Sequence, residues 1–331
     1  MAATTINDVA ELAGVSIKTV SRVLNGEPHV RPALQQRVMQ AAEQLAYTPN
    51  QAARRLAGNK SFLIALMYNN PSPSYVAGIQ EGAARRCRAL GYHLIVEPLE
   101  REQDNDPLPV NNMLKTLAPD GVILIPPLSD DIALLQQLAQ FRTPVVRIAG
   151  YKEGPGAILV TPERVAGRMA VEHLIARGHT LIGMVAPPAT HQAAAERLLG
   201  YRDALEQARL PVSANLIVVG RFDVESGQEA AAQLLVLPNP PTAIFAANDE
   251  MALGVMRAAR ERGLRVPDEL SVIGFDDTPS SRSAWPPLTT VRQPLHELSA
   301  AAVDLIVSGG AKSQFDCQFS LVERGTVADR R

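Results

Sequence analysis

The 331-residue chain has only two cysteines, few aromatic residues and no long uninterrupted apolar stretch. Cys87 and Cys317 are too few and too far apart for a disulfide framework or a zinc site, so a reducing, cytoplasmic location is expected. An apolar run of about 18 residues, the minimum for a membrane span, is missing. Residues 1–25 also lack the charged start and apolar core of a signal peptide.

Catalytic and metal-binding sequence patterns are missing as well. There is no HExxH, CxxC or GxSxG motif, and the segment GYKEGPG at 150–156 lacks the Lys-Ser/Thr ending of a phosphate loop. His173 and His179 lie on either side of a predicted helix end at Gly178. The favourable interaction of a histidine with the helix dipole is enough to explain them without a catalytic or metal-binding role. No nucleophile, base and orienting group can be assembled, so we predict that the protein is not an enzyme and needs no cofactor or metal.

The charge of the chain is unevenly distributed, although its net value is only −2. Residues 1–60 carry seven Lys and Arg residues against four Asp and Glu, whereas the remainder carries 25 against 30. A small basic end on a larger acidic body is typical of a DNA-binding headpiece attached to a domain that does not bind DNA.

Residues 6–26, INDVAELAGVSIKTVSRVLNG, predict two short helices joined by a tight turn. Gly14 can end the first helix in the left-handed conformation, and the hydroxyl of Ser16 can cap the second. Apolar residues at helical spacing are expected to face inward: Val9, Ala10, Leu12, Ala13, Val20, Val23 and Leu24. The outer face of the second helix is left with Ile17, Lys18, Ser21, Arg22 and Asn25. This is the layout of a helix that reads the DNA major groove.

A third helix is predicted to begin at Pro32, with an inward stripe formed by Leu34, Val38, Ala41, Ala42 and Leu45. After it, Asn50 can cap a short helix over residues 51–57, which Gly58 can end. So short a helix is not stable alone in water, and we expect it to form only when something binds or packs against it.

From residue 61 onward, apolar strands alternate with helices. Strands are predicted at 62–68, 93–98, 121–127, 144–149, 181–187, 216–220, 242–247 and 271–276. Helices are predicted near 75–90, 130–140, 162–177, 191–208, 224–237 and 249–262. Such strands indicate parallel sheets covered on both faces, and their number favours two lobes divided near residue 160. The last segments, 287–294 and 318–323, are expected to cross back to the first lobe.

These segments resemble the lactose-repressor (LacI) family of transcription regulators, most strongly over 5–58 and 242–294. The resemblance implies a helix-turn-helix headpiece at 1–49 and a hinge helix with its linker at 50–60. A two-lobed α/β core like that of periplasmic binding proteins would occupy 61–331, with parallel sheets. Its first lobe is expected at about 61–160 and 290–323, and its second at about 161–289.

DNA contacts are expected from the second helix, its surroundings and the hinge: Thr5, Ser16, Ile17, Lys18, Thr19, Ser21, Arg22, Asn25, His29, Tyr47, Asn50, Ala53 and Leu56. By resemblance, Ile17 and Lys18 select the operator half-site. Arg22 can pair with a guanine edge or meet a phosphate. The resemblance also makes Leu56 the side chain that is inserted into the minor groove. That insertion needs two copies of the helix, which implies a homodimer on a pseudo-palindromic operator.

Effector contacts are expected beyond the carboxyl ends of the strands, where open α/β sheets bind ligands. Asn248 in FAANDEMALG and Asp276 in VIGFDD follow predicted strands, and Arg197 in AERLLGY matches an effector-binding arginine of the family. Together an arginine fork, an amide and a carboxylate can bracket sugar hydroxyls. The full expected set is Asn69, Ser74, Tyr75, Arg197, Phe222, Asn248, Asp276 and Gln293. In the structural alternative, Arg197 only pairs with a nearby acid, and Asp249 and Asp277 only cap helices or turns.

The sequence therefore predicts a DNA-binding transcription regulator, a repressor of carbohydrate-utilisation genes that a mono- or disaccharide releases. A repressor that needs a non-sugar corepressor is the alternative within the same class. A solute-binding protein for transport is the alternative from another class, but it requires export and leaves the headpiece unexplained.

Overall fold

The structure, a computed structural model, describes residues 4–24, 30–47, 60–99, 108–309 and 315–330. The chain divides into two compact units, residues 1–62 and residues 63–331.

The first unit contains three helices: α1 (Ile6–Ala13), α2 (Ile17–Leu24) and α3 (Pro32–Gln44). The carboxylate of Asp8 begins α1 by accepting hydrogen bonds from the backbone N–H and the hydroxyl of Thr5. Gly14 ends α1 with φ = 61°, a left-handed conformation that favours glycine. Ser16 Oγ accepts the Thr19 N–H at the start of α2, so the cap predicted from the sequence is confirmed.

A small apolar core holds the three helices together. Val9 from α1, Val20 and Val23 from α2, and Val38 from α3 are all buried in it. The prediction that Leu12 faces inward is wrong, because its side chain is 48% exposed. The first helix therefore buries a narrower stripe than its apolar content suggested, since two short partners cannot cover a wider face.

The second unit contains two sheets, and the first lies in one lobe. Its strands are β1 (Leu63–Tyr68), β2 (His93–Pro98), β3 (Gly121–Leu124), β4 (Val145–Ile148) and β5 (Ala157–Leu159). They are parallel throughout, in the order β2-β1-β3-β4-β5. The intervening helices are α4 (Pro73–Ala89), α5 (Leu108–Leu117) and α6 (Ile132–Ala139).

The second sheet lies in the other lobe. Its strands are β6 (Ile182–Ala186), β7 (Ile217–Val219), β8 (Ala243–Ala246), β9 (Ser271–Asp276), β10 (Thr289–Arg292) and β11 (Ser320–Val322). The order is β11-β10-β9-β8-β6-β7, and only β11 is antiparallel to its neighbour. The helices of this lobe are α7 (Glu163–Ala176), α8 (Gln192–Gln207), α9 (Val224–Leu234), α10 (Asp249–Glu261) and α11 (Pro279–Ser283). Near-continuous burial of β6, β8 and β9 agrees with strands covered on both faces.

The final crossing differs from the sequence prediction. Residues 287–294 and 318–323 were expected in the first lobe, but β10 pairs with β9 and β11 pairs with β10, which places both in the second sheet. Of the described segments that follow β9, α12 (Leu295–Val307) is the one that crosses back, and it packs against α4, β3 and β4. The strands stay in the second lobe because β10 extends that sheet in register, Thr289 beside Ile273 and Arg292 beside Asp276.

Helices α7 and α8 approach each other closely at paired glycines. A Cβ atom at Gly167 would lie 2.6 Å from the Arg197 carbonyl oxygen, and one at Gly200 would lie 2.1 Å from that of Arg164. Any side chain at either position would therefore push the helices apart. This close crossing sets the distance between Glu163 at the start of α7 and Arg197 near the middle of α8. Both are charged side chains of the candidate site.

Candidate functional site

The outer face of α2 is open to a partner. Ile17 is 50% exposed, Lys18 and Arg22 are exposed, and Val20 and Val23 on the opposite face are buried. Thr19 and Ser21 are half-buried at the edges of this face. The helix thus presents one apolar and two cationic side chains on one surface, which suits contact with base edges and phosphates.

Other residues predicted to contact DNA surround α2. Thr5 and Ser16 are exposed, and their hydroxyls already serve local hydrogen bonds, Thr5 to Asp8 and Ser16 to Thr19 Oγ1 at 2.9 Å. Tyr47 is half-buried against the headpiece core. The remaining predicted contacts lie outside the described residues: Asn25, His29, Asn50, Ala53 and Leu56.

A second site lies between the two lobes of the core. Tyr75 at the start of α4 comes from the first lobe, and Arg197 on α8, Phe222 after β7 and Asp276 at the end of β9 come from the second. These four side chains line one small cavity of about 30 Å³, which has room for only one or two water molecules. We call this cavity the cleft. Four of the residues proposed from the sequence therefore lie together at the carboxyl ends of the strands.

Arg197 is buried in the cleft wall, where its Nε and Nη1 are hydrogen-bonded. Its Nε donates to Glu163 Oε2 at 2.8 Å, and its Nη1 donates to the Ala247 carbonyl oxygen. Asp276 Oδ1 lies 3.9 Å from Nη1, and the guanidinium carbon lies 3.7 Å from the ring centre of Phe275. Arg197 thus pairs with a nearby acid, as in the structural alternative, and it also lines the cleft.

Asp276 is held in an unusual backbone conformation, with φ = 115°. Its Oδ1 accepts a hydrogen bond from Gln293 Nε2, and the residue is 6% exposed. Burial raises the pKa of this carboxyl well above its ordinary value, and the guanidinium of Arg197 only partly offsets that rise. Backbone strain at a buried acid is typical of functional sites, where the surroundings hold a costly conformation.

Tyr75 faces these charged groups from the first lobe. Burial raises the pKa of its phenol, and the carboxylates of Glu163 and Asp276 raise it further. The phenol is therefore protonated at neutral pH. It can donate a hydrogen bond within the cleft and present its ring as an apolar wall.

Asn248 and Gln293 lie just behind the cleft wall and do not line the cavity. Asn248 Oδ1 caps α10 by accepting the Met251 N–H, and its Nδ2 donates to the Phe222 carbonyl oxygen at 3.0 Å. Gln293 is hydrogen-bonded to Asp276. We therefore infer that Asn248 positions Phe222 and that Gln293 positions Asp276.

Asn69 and Ser74 are also placed outside the cleft. Asn69 lines a separate hollow beside Asp130, and Ser74 lines a larger hollow beside Arg292 and Gln293. Asn70 and Ser72 line the cleft instead. Asn70 Oδ1 accepts the Ser72 N–H and Ser72 Oγ accepts the Tyr75 N–H, a local turn that orients Tyr75 at the start of α4.

Two of the cleft residues that the sequence analysis did not propose are titratable. Glu163 is the first residue of α7 and is 2% exposed, and the ring of His191 lies 4.8 Å from that of Phe222. Burial lowers the pKa of His191 to about 4, and Nε2 of its ring is buried without a hydrogen-bond partner. Both residues directly precede or begin a predicted helix after a strand, which is the signal that could have identified them.

Among the described residues, no group of three or more His, Cys, Asp or Glu side chains is arranged to hold a metal ion. Within the same ranges, none of the helices has the length and apolarity needed to span a lipid bilayer.

Comparison with known proteins gives two family matches. Residues 5–50 match the model for bacterial regulatory proteins of the lacI family, and residues 171–327 match a periplasmic binding protein-like domain. The chain is 38% identical to the HTH-type transcriptional regulator DegA of Bacillus subtilis (strain 168), over 90% of this chain and 88% of the relative.

Solved structures give the same result over nearly the full length. A Lac repressor dimer bound to operator and the anti-inducer ONPF is 33% identical, with a TM-score of 0.78 over 99% of this chain and 100% of that chain. A complex of the transcriptional regulator CelR with cellobiose is 30% identical, with a TM-score of 0.74 over 98% and 99%.

The helix-turn-helix unit and the two-lobed core are those of a DNA-binding transcription regulator and not of an enzyme. The chain belongs to the LacI family of bacterial regulatory proteins. The predicted family, fold class and regulatory function are therefore confirmed.

Proposed function

We propose that this regulator is a homodimeric repressor that binds a pseudo-palindromic operator and that a mono- or disaccharide in the cleft releases it. The observation that carries the proposal is the meeting of Tyr75 from one lobe with Arg197, Phe222 and Asp276 from the other. A sugar offers hydroxyls to the carboxylate and guanidinium and an apolar ring face to the aromatic side chains. The CelR complex contains such a ligand, cellobiose, on the same fold.

The cleft gives a physical route for regulation. A sugar is larger than the cavity of about 30 Å³, so the lobes must move apart to admit it. A ligand that contacts Tyr75 and Asp276 at the same time then bridges the lobes and stabilises that wider arrangement. The sugar changes DNA affinity only if it binds the two arrangements with different affinities, and a 100-fold change corresponds to about 2.7 kcal/mol. The proposed readout of that shift is the hinge at 50–60, where the sequence predicts a helix too short to be stable without its partner copy and DNA.

At the DNA, α2 is proposed to read the half-site. Ile17 and Lys18 project from the exposed face of the helix, where an apolar side chain suits a thymine methyl group and an ammonium suits a guanine edge. Arg22 on the same helix is proposed to pair with a base or a phosphate. Residues 50–60, including Leu56, are proposed to enter the minor groove at the operator centre.

The test combines operator selection with a ligand screen. The purified full chain is used to select genomic fragments at physiological salt, and the selected fragment is then titrated with and without mono- and disaccharides. Release of the fragment by a sugar that also raises the melting temperature supports the proposal. Tighter operator binding with the ligand would identify a corepressor, and a monomer with no preference among fragments would contradict the proposal.

A further inference from the structure

The chain leaves the extended conformation at the end of β9, where two successive residues have positive φ angles. Asp277 has φ = 55°, in the left-handed region that aspartate tolerates, whereas φ = 115° at Asp276 lies beyond that region and is costly for a residue other than glycine. The direction of a side chain follows from its backbone conformation, so this turn fixes where the Asp276 carboxylate lies in the cleft wall. Such a turn persists only when its surroundings hold it.

The side chain of Asp277 is held by two arginines from other segments of the second lobe. Its Oδ2 accepts a hydrogen bond from Arg292 Nε at 2.6 Å, and its Oδ1 accepts one from Arg324 Nη2. Both carboxylate oxygens are thus paired with a charged donor, and only 3% of the side chain is exposed. Charge-assisted hydrogen bonds are the stronger ones in proteins, more so where water is excluded. We call Asp277, Arg292 and Arg324 the arginine bracket.

The two arginines come from parts of the fold that are themselves fixed. Arg292 is the last residue of β10, where it pairs with Asp276 in the parallel register of the sheet. Arg324 follows β11, and its Nη1 donates to the Leu288 carbonyl oxygen at 2.8 Å and to Ser281 Oγ at 3.1 Å. The bracket therefore ties the turn after β9 to two other strands of the second sheet.

The other roles expected of Asp277 do not explain these contacts. Its carboxylate does not cap the next helix, α11, because Thr278 is the N-cap and its hydroxyl accepts the Ser281 N–H. Asp277 does not line the cleft either, and borders the larger hollow beside Arg292 instead. The alternative drawn from the sequence, in which Asp277 only caps a helix or turn, therefore leaves its side-chain contacts without a reason.

We propose that Asp277 is a positioning residue for the effector site, because the arginine bracket holds the turn after β9 and so keeps the Asp276 carboxylate in the cleft wall. The inference rests on the proposed function where it concerns sugar binding, whereas the position of Asp276 is measurable without a ligand. Gln293, the residue after Arg292, supports the same geometry by donating to Asp276 Oδ1. Breaking the bracket should let the turn relax and expose Asp276 to water.

The first test measures the pKa of Asp276 in the full chain from the carboxyl NMR signals of isotope-labelled aspartate, assigned by comparison with Asp276→Asn. Burial holds this pKa well above its ordinary value. Arg292→Met should lower it, with at least an about tenfold rise in the acid dissociation constant, as the carboxylate becomes hydrated. The other charged groups near Asp276, namely Arg197, Asp249 and Glu250, are unchanged in this variant. A purely electrostatic effect has the opposite sign, because losing a positive charge raises the pKa of a nearby acid.

Arg282→Met is the matched control. Arg282 is about as exposed as Arg292, 56% against 53%, but its Nη1 lies 3.9 Å from Asp277 Oδ2, beyond hydrogen-bond distance. The control removes the same charge near the turn without breaking the bracket, so the pKa of Asp276 should stay unchanged or rise slightly.

Two results would overturn the inference: an unchanged or higher pKa of Asp276 in folded Arg292→Met, or an ordinary pKa in the wild type. Circular dichroism and thermal unfolding establish that the variant is folded. If it does not fold, Arg324→Met breaks the other ion pair of the bracket and should also lower the pKa of Asp276.

A second measurement separates this inference from the proposed function. Each mono- or disaccharide that raises the melting temperature of the wild type is titrated by calorimetry into the wild type, Arg292→Met and Arg282→Met. Sugar binding should be about tenfold weaker in Arg292→Met and within about twofold of the wild type in Arg282→Met. Equal affinity of Arg292→Met and the wild type overturns the link between the bracket and the effector site. If none of the sugars binds the wild type, the proposed function is contradicted, and the NMR result still decides whether the bracket positions Asp276.

Discussion

Arg197 Nε lies 2.8 Å from Glu163 Oε2, and the two side chains are only 7% and 2% exposed. This buried pair joins the middle of α8 to the start of α7 across the close crossing at Gly167 and Gly200. Each charge depends on the other, since neither can be hydrated in place. The pair therefore belongs both to the folded core of the second lobe and to the wall of the cleft.

Removing one member of this pair should destabilise the protein severely. We expect Arg197→Met to lower the free energy of unfolding by about 3–5 kcal/mol, because it leaves Glu163 buried without a counter-charge. Arg164→Met is the matched control, since the pair of Arg164 with Asp203 is largely exposed and should contribute less than about 1 kcal/mol.

Urea denaturation of both variants makes this measurement. The double variant Arg197→Met/Glu163→Leu should recover much of the lost stability, because no unpaired charge remains. A double variant that is less stable than Arg197→Met would show that the buried charge is not the cause.

Most of the core was predictable because its strands and helices carry strong local patterns. The strands at 93–98 and 271–276 were predicted with the bounds that the structure shows. In the headpiece, Gly14 marked the end of α1 and Ser16 marked the start of α2. The lobe assignment of β10 and β11 was not predictable in the same way. Which sheet a strand joins depends on pairing with distant residues, which hydrophobic periodicity does not report.

Only part of the cleft was predicted, because some of its contacts also depend on residues that are distant in the sequence. Asp276 could be placed because strand ends in parallel sheets are ligand-binding positions, whereas Glu163 is identified by its partner 34 residues away. Arg147 shows the same limit: it lies inside an apolar run, is fully buried, and donates to Asp130 and to the carbonyl oxygens of Ser129 and Lys152. A sequence does not show which backbone carbonyls will surround such a side chain.

Asp276→Asn should abolish the response to ligand while leaving operator affinity within about twofold. The amide keeps the size of the side chain but loses one acceptor for sugar hydroxyls. Asp276 belongs to the unit at 63–331, whereas all the proposed DNA contacts belong to residues 1–62. Operator titrations with and without the effector measure both quantities. Asp268→Asn, at an exposed position, is the control. A normal response in Asp276→Asn would remove this residue from the effector site.

Lys18→Gln should change which operator half-site is preferred. The exposed side chain of Lys18 at the start of α2 is placed to donate to a base edge, and loss of such a contact relaxes specificity at one position by about 1–3 kcal/mol. Selection from randomised half-sites measures the preference. Arg31→Gln removes an exposed positive charge just before α3 and is the control, because loss of general attraction to the phosphates should weaken binding to all sequences about equally. If Lys18→Gln behaves like that control, Lys18 contacts only phosphate.

His191 should make stability depend on pH below neutrality. Its folded-state pKa of about 4 is below the ordinary value, so the stability that it contributes is present above about pH 6.5 and is lost as the pH falls. Between pH 7 and 5 the wild type should lose roughly 1 kcal/mol more than His191→Gln, after allowance for the partial exposure of the ring.

Asp249 has the opposite effect on the same curve. Burial raises its pKa to about 7, so its contribution falls as the pH rises toward and above that value. Because Asp249 is present in both proteins, the difference between their unfolding curves isolates His191. Parallel curves from pH 7 to 5 would contradict a depressed pKa at His191.

Leu56→Ala should weaken operator binding much more than non-specific DNA binding. Leu56 lies outside the described residues, and its role is proposed from the hinge sequence and the family resemblance. A side chain inserted between base steps contributes only where the duplex is kinked, so its loss should cost at least about tenfold on the operator and little on random DNA. Titrations of both DNAs at the same salt concentration make the comparison, with Gln51→Ala as a hinge control that keeps the apolar side chain. Equal losses on the two DNAs would mean that Leu56 serves the hinge as an ordinary helix residue.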